Sequence, residues 1–181
     1  MTRFSTVFFD LDGTLADTAP DLAYALNALL QEHGRAALPF ESIRPIASHG
    51  SPGLLKLGFG VTSEHPQYPA LRERFLELYS THLSRETKLF PGMPEVLTEL
   101  GRRGVKWGVV TNKPAFLTEP LMHALNPTPA PACIVSGDST SQRKPHPEPM
   151  LHACQRSGSQ ATECLFVGDA ERDIQAGRDA G

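Results

Sequence analysis

The sequence lacks the features that would commit it to a membrane, an oxidising compartment or a nucleic acid. No run approaches the roughly 18 consecutive apolar residues of a spanning helix, and Asp10 interrupts the N-terminal segment too early for a secretory leader. Cysteine is scarce. Cys133, Cys154 and Cys164 cannot all pair within one chain, and none sits in a CxxC or other metal spacing, so buried, reduced thiols are expected. Basic residues are scattered without a polybasic run, and a net charge of -3 gives no electrostatic reason to bind nucleic acid. Internal repeats and low-complexity segments are also missing. What remains is ordinary soluble composition, 40% hydrophobic and 20% charged over 181 residues, enough for one core or one core with a small insertion. The expectation is a cytoplasmic enzyme or binding protein, without nucleic-acid or membrane partners.

Periodicity divides the chain. Residues 4–9 read as a buried strand. Residues 20–33 read as a helix, with Pro20 in the first turn, Leu22, Leu26, Leu29 and Leu30 on one face, and Gly34 as a stop. Residues 68–85 read as another helix through Leu71, Phe75, Leu78 and Leu83, and the Gly/Pro-punctuated stretch between the two reads as short helices and turns. From residue 92 the pattern changes to helix (92–103, with Met93, Val96, Leu97 and Leu100 on one side), strand ("VKWGVVTN"), helix (114–125), strand ("ACIVSGD"), helix (147–157), strand ("CLFVGD") and the start of a helix. Such alternation specifies a parallel sheet with right-handed crossovers. About 75 residues separate the first strand from the others, too many for a simple crossover. The expected organisation is therefore an α/β core from residues 1–15 and 90–181, with a helical cap inserted at 16–89 and "KLFPG" as the return linker.

Strand ends carry the polar residues. Asp10 follows "VFF", Thr111 and Asn112 follow "GVV", and Asp169 follows "LFVG". In an open parallel sheet the carboxyl ends of strands face one crevice. Lys144, in "QRKPHP", belongs to a loop on that side. Asp10, Asp12 and Asp169 gathered there would repel one another and raise a pKa. A hard dication relieves this, and Mg2+ favours one or two carboxylates with water and phosphate oxygens. An ammonium at Lys144 and donors at Thr111 and the backbone near Asn112 complete a site suited to a phosphoryl group. Two carboxylates allow one to attack phosphorus while the other moves protons. Gly13 lets the backbone turn tightly beside the phosphate. Each motif alone has an ordinary reading: Asp169 as a helix N-cap, Lys144 as a loop charge, and Lys113 as a solvated loop charge, the reading adopted for it. Their order along the chain, each at a strand end, is the specific signal.

With those motifs in hand, "FFDLDGTLADT", "VVTNK", "RKPHPEP" and "FVGDAERDIQAG", the chain resembles the haloacid dehalogenase superfamily of phosphohydrolases. Within it, "LFPGMPEVLTEL", "WGVVTNKP" and "KPHPEPMLHAC" resemble the phosphoglycolate phosphatase-like subgroup and also the N-acetylmuramic acid 6-phosphate phosphatases, which are close to it in sequence. The resemblance implies a Rossmann-like core with an inserted cap. It implies that Asp10 is the nucleophile and Asp12 the general acid/base. Mg2+ would be held by the Asp10 carboxylate, the Asp12 backbone carbonyl and Asp169. Thr111 and Lys144 would bind phosphate, and Asp173 would support the metal ligands from behind. A carboxylate at position 12 argues against carbon–halogen chemistry, since the dehalogenases themselves lack one there.

The expected activity is Mg2+-dependent hydrolysis of a small phosphorylated metabolite, phosphoglycolate or a sugar phosphate, by a monomer or homodimer. Alternatives are a sugar phosphomutase or an inactive phosphate-binding module. Arg44, Ser48, His49 and Lys56 are cap candidates for reading the substrate. Relatives continue past the last motif, so the resemblance also implies a missing C-terminal strand and helix after Gly181 and an open edge beside "CLFV".

Overall fold

The structure is a computed structural model that describes residues 4–181; residues 1–3 of the expected core segment lie outside the described residues. The chain divides into two compact units, Met1–Ala16 with Leu89–Gly181, and Asp17–Lys88.

The first unit is built on a parallel four-stranded sheet. Its strands are β1 (Thr6–Phe9), β4 (Lys106–Val110), β5 (Cys133–Val135) and β6 (Cys164–Val167), in the order β5-β4-β1-β6. Thr6 pairs with Lys106 on one side and with Cys164 on the other. The short run "TVFF" suits this inner place because all four residues are buried, which an apolar strand covered on both faces requires. Strands β4 and β5 extend to one side of β1, and β6 returns to the other. The crossovers on the two sides of β1 therefore diverge, and its carboxyl end opens into a crevice.

Helices α5 (Met93–Arg102), α6 (Ala115–Leu125), α7 (Glu148–Ser157) and α8 (Glu171–Asp179) supply the connections and cover the sheet. Phe8, Val110, Val135, Met150, Ala153 and Ala176 form one core cluster. Trp107 packs edge-on against Phe9 and donates its indole N–H to the Pro129 carbonyl at 3.0 Å. Gly108 is forced by close packing, since a Cβ would lie 2.9 Å from the Cys133 carbonyl oxygen. Strand β6 pairs only with β1 among the described residues, and Leu165 on it and Ile174 on α8 are exposed.

The second unit is helical: α1 (Ala19–Glu32), α2 (Phe40–Ile43), a 3-10 turn over Arg44–His49, α3 (Gly50–Phe59) and α4 (Tyr68–Ser80). Leu22, Leu26, Leu29 and Leu30 are all buried, as the period of α1 requires. Two-residue strands β2 (Ala16–Asp17) and β3 (Lys88–Leu89) pair where the chain passes from one unit to the other.

Several expectations change. Helix α4 ends at Ser80 rather than 85; Leu83 is buried from the turn that follows, so its apolar signal came from burial and not from helical phase. Val96 is exposed, leaving Leu97 as the fully buried residue of α5. Cys133 and Cys154 are buried, but Cys164 is only half-buried; its Sγ lies 3.7 Å from that of Cys154, and burial pushes its thiol up to about 12. The pairing of β2 with β3 was not legible, because two-residue strands carry no period.

Candidate active site

Asp10 immediately follows β1. Its backbone N–H donates to Val167 O at 2.9 Å, extending the ladder with β6, and its carbonyl accepts Leu15 N–H at 3.2 Å. The side chain is 3% exposed. Oδ1 accepts the Leu11 N–H at 2.8 Å and faces Lys144 Nζ at 3.0 Å, while Oδ2 has Arg172 Nη2 at 4.0 Å. One oxygen is thus fixed by two donors and the other is held loosely. Desolvation pushes the Asp10 carboxyl up to about 6; Lys144 opposes the rise, and the charges of Asp173 and Asp12 add to it.

Asp169 and Asp173 complete an acidic group with Asp10, one carboxylate oxygen from each lying within 4.8 Å of the others. Asp169 is exposed and accepts the Thr14 hydroxyl at 3.3 Å. It does not cap α8, because the residue at that position is Ala170. Asp173 is fully buried in the first turn of α8. Its Oδ2 accepts the Ala170 N–H at 3.0 Å and its Oδ1 lies 2.7 Å from Lys144 Nζ. Gly168 makes this possible: a Cβ there would sit 2.5 Å from the Asp173 Cβ.

Lys144 is buried beneath these acids. Its Nζ meets Val110 O at 2.8 Å, Asp10 Oδ1 and Asp173 Oδ1, and it lies 5.1 Å from the centre of the Phe166 ring. Val110 O accepts a hydrogen bond from Nζ, whereas Asp173 Oδ1 is an ion-pair contact, a buried oxygen without a hydrogen-bond donor among the described residues. Asn112 places Lys144 by clamping its backbone: Nδ2 donates to Lys144 O at 2.9 Å and Oδ1 accepts Lys144 N–H at 3.0 Å. The Asn112 side chain thus fixes the backbone of Lys144 and keeps a second Nδ2 proton.

Thr111 is buried at the end of β4 and its Oγ1 accepts the Lys113 N–H at 3.2 Å. A hydroxyl that accepts still has its own proton to give. Gly13 has φ 80, as its place in the tight turn requires, but its N–H donates to Ala16 O at 3.1 Å.

Asp12 and Lys113 depart from expectation. The Asp12 carboxylate is not in the acidic group. Both its oxygens accept from Lys113 Nζ, at 2.8 and 3.1 Å, with side chains only 16% and 5% exposed. Lys113 is no solvated loop charge, because an almost fully buried ammonium requires an anionic partner. No period could have revealed it, because the chain bends at Asn112 and Lys113 as it leaves β4. Arg172, beside Asp10, was also missed; it lies within the acidic "ERD" that opens α8.

The cap candidates all lie in the helical unit. Arg44 is ion-paired with Asp17 at 2.8 Å and stacks on Phe40. Ser48 is half-buried on the 3-10 turn, and His49 and Lys56 are exposed.

The donor set fits a hard divalent cation. Three carboxylates crowd together, the single ammonium of Lys144 cannot offset three negative charges, and oxygen ligands of this kind suit Mg2+. A buried carboxylate at the carboxyl end of an inner parallel strand, seated over a lysine and beside further acids, defines a hydrolase site of the haloacid dehalogenase type.

Sequence comparison agrees. The haloacid dehalogenase-like hydrolase family matches residues 7–181, and the chain belongs to it. The chain is 38% identical over 179 residues to N-acetylmuramic acid 6-phosphate phosphatase of Pseudomonas aeruginosa, covering 99% of this chain and 79% of that one. It is 41% identical over 175 residues to phosphoglycolate phosphatase of Xanthomonas campestris pv. campestris, covering 97% and 79%. Among solved structures, a predicted phosphoglycolate phosphatase from Haemophilus somnus superposes with a TM-score of 0.85 at 29% identity, covering all of this chain and 84% of that one.

Proposed function

We propose that the chain is a Mg2+-dependent phosphatase that hydrolyses a small phosphate monoester through an aspartyl-phosphate on Asp10. The observation that carries this reading is the asymmetry of the Asp10 carboxylate. Leu11 N–H and Lys144 hold Oδ1, while Oδ2 has Arg172 Nη2 4.0 Å away. A nucleophile needs this combination of a fixed orientation and one oxygen not tied up by strong donors.

In the first half-reaction Oδ2 attacks phosphorus, the bond from phosphorus to the ester oxygen breaks, and the departing oxygen takes a proton from Asp12. In the second, a water oxygen attacks phosphorus, the bond to Asp10 breaks, and the water's proton passes to Asp12. Thr111 offers its hydroxyl proton to a phosphoryl oxygen. Lys144 contributes by position and charge, holding Asp10 and Asp173 together. Mg2+ bound by Asp10, Asp169 and the Asp12 carbonyl would supply the positive charge that phosphoryl transfer requires, with Asp173 bracing the arrangement.

The relatives named above make 2-phosphoglycolate and N-acetylmuramic acid 6-phosphate the first esters to test. The decisive measurement is inorganic phosphate released from each, with Mg2+ and with excess chelator. Mg2+-dependent release that disappears in Asp10→Asn is expected. Conversion of a sugar phosphate into its isomer without phosphate release would make the enzyme a mutase. No turnover of any ester by folded protein would refute the reading.

A further inference from the structure

We propose that Lys113 is a positioning residue that holds the Asp12 carboxylate where it must deliver and collect protons; this rests on the acid/base reading of Asp12 above. Lys113 is anchored first by its backbone. Its carbonyl accepts from Gly137 N–H at 2.8 Å and from Thr118 Oγ1 at 3.1 Å, and its own N–H donates to Thr111 Oγ1 at 3.2 Å. Gly137 is pressed so closely on this turn that a Cβ would meet the Asn112 carbonyl oxygen at 2.2 Å. The backbone of Lys113 is therefore anchored on three sides, to β5's end, to α6 and to Thr111.

From that anchored turn a single ammonium spans both oxygens of Asp12, at 2.8 and 3.1 Å. The backbone around Asp12 is itself tightly wound, with Leu15 and Ala16 N–H both donating to Leu11 O. What such winding leaves undetermined is the side-chain torsion of Asp12, and a salt bridge to both oxygens removes that freedom. The two lysines thus divide the work. Lys144 sits under the nucleophile, ion-paired with Asp10 and Asp173, and Lys113 sits beside the proton carrier. A proton carrier displaced by about 1 Å can lose on the order of 100-fold in rate, so fixing this carboxylate carries kinetic weight.

The test is a double-mutant cycle on Asp12→Asn and Lys113→Met, with Lys113→Gln as a second variant that keeps a polar end. Each is first shown to keep the wild-type far-UV circular dichroism. With an alkyl phosphate, Lys113→Met and Lys113→Gln are expected to lower kcat by about 100-fold, within the range for general acid–base groups, and to change KM less than about threefold. In the Asp12→Asn background the same change is expected to cost no more than about twofold, because a residue acting through another adds nothing once that one is gone. With p-nitrophenyl phosphate, whose leaving group needs no proton, the burst of p-nitrophenolate is expected to stay within a few-fold of wild type while the following steady rate falls.

A raised KM at unchanged kcat, or losses that multiply across the cycle, would overturn the proposal, since Lys113 would then act on the substrate itself. Slow Asp12→Asn with fast Lys113→Met and Lys113→Gln would overturn the proposal alone. Asp12→Asn as active as wild type would overturn both it and the acid/base reading.

Discussion

Each of the two units buries an aspartate, and the two are built for opposite ends. Asp21, in the helical unit, is fully buried, and its oxygens accept from Glu86 N–H, Thr87 N–H and the Thr87 hydroxyl at 2.7–3.2 Å. It ties the start of α1 to the segment before β3, and its donors are the neutral backbone and hydroxyl groups of Glu86 and Thr87. Asp10 is nearly as buried, yet one of its oxygens has only an arginine at 4.0 Å, and two further carboxylates crowd it. Burial alone therefore does not mark a functional acid. The mark is a buried acid whose surroundings leave part of its bonding capacity and its charge unsettled.

Turnover in Asp10→Asn and Asp21→Asn separates the two aspartates by the largest margin. Asp10→Asn is expected to lose at least about 1,000-fold in phosphate release, as removal of a covalent nucleophile does. Asp21→Asn is expected to keep kcat within a few-fold while losing about 1–3 kcal/mol of stability in denaturant, the usual cost of disturbing a buried hydrogen-bonded set. Equal loss of turnover in both would erase the distinction.

A smaller effect is expected behind the site. Gly168→Ala would drive a methyl group onto Asp173, displacing the acid that shares Lys144 with Asp10. A drop of about 10- to 100-fold in kcat is expected, together with a weaker response to Mg2+ in titrations of activity. Wild-type kinetics in this variant would show that Asp173 is not held where the site needs it.

The smallest effect concerns stability and pH. The Asp10 carboxyl titrates at about 6 in the folded chain against an ordinary 3.8. The folded state therefore binds more protons than the unfolded state between those values. Metal-free stability should fall as pH rises from about 4 to about 6 and then level off. Asp10→Asn lacks that fall, so in chelator at pH 7.5 it is expected to be more stable than wild type, by on the order of 1–3 kcal/mol. Thermal melts of both proteins across this range check the sign. Saturating Mg2+ should stabilise wild type more than the variant.

Much of this was legible in one dimension. The strand–helix alternation after residue 92, the long helical insertion, the positions of Asp10, Thr111 and Asp169 just past strand ends and that of Lys144 in the loop after β5 all follow from apolar periodicity and from where it stops. The acids and Lys144 could be read because a parallel sheet sends the ends of its strands to one side, whatever the order of those strands.

The partners of these residues could not be read in that way. Lys113 meets Asp12 only because β4 lies directly beside β1, and Asn112 serves the backbone of Lys144 only because the loop carrying Lys144 folds back over the end of β4. Whether an ammonium is solvated or buried against an acid is a question of neighbours, and neighbours far apart in sequence are chosen by strand order and close packing. Residue types and spacings by themselves determined the class of chemistry; tertiary structure alone decided which charge answers which, because electrostatic pairing depends on distance through space and not along the chain.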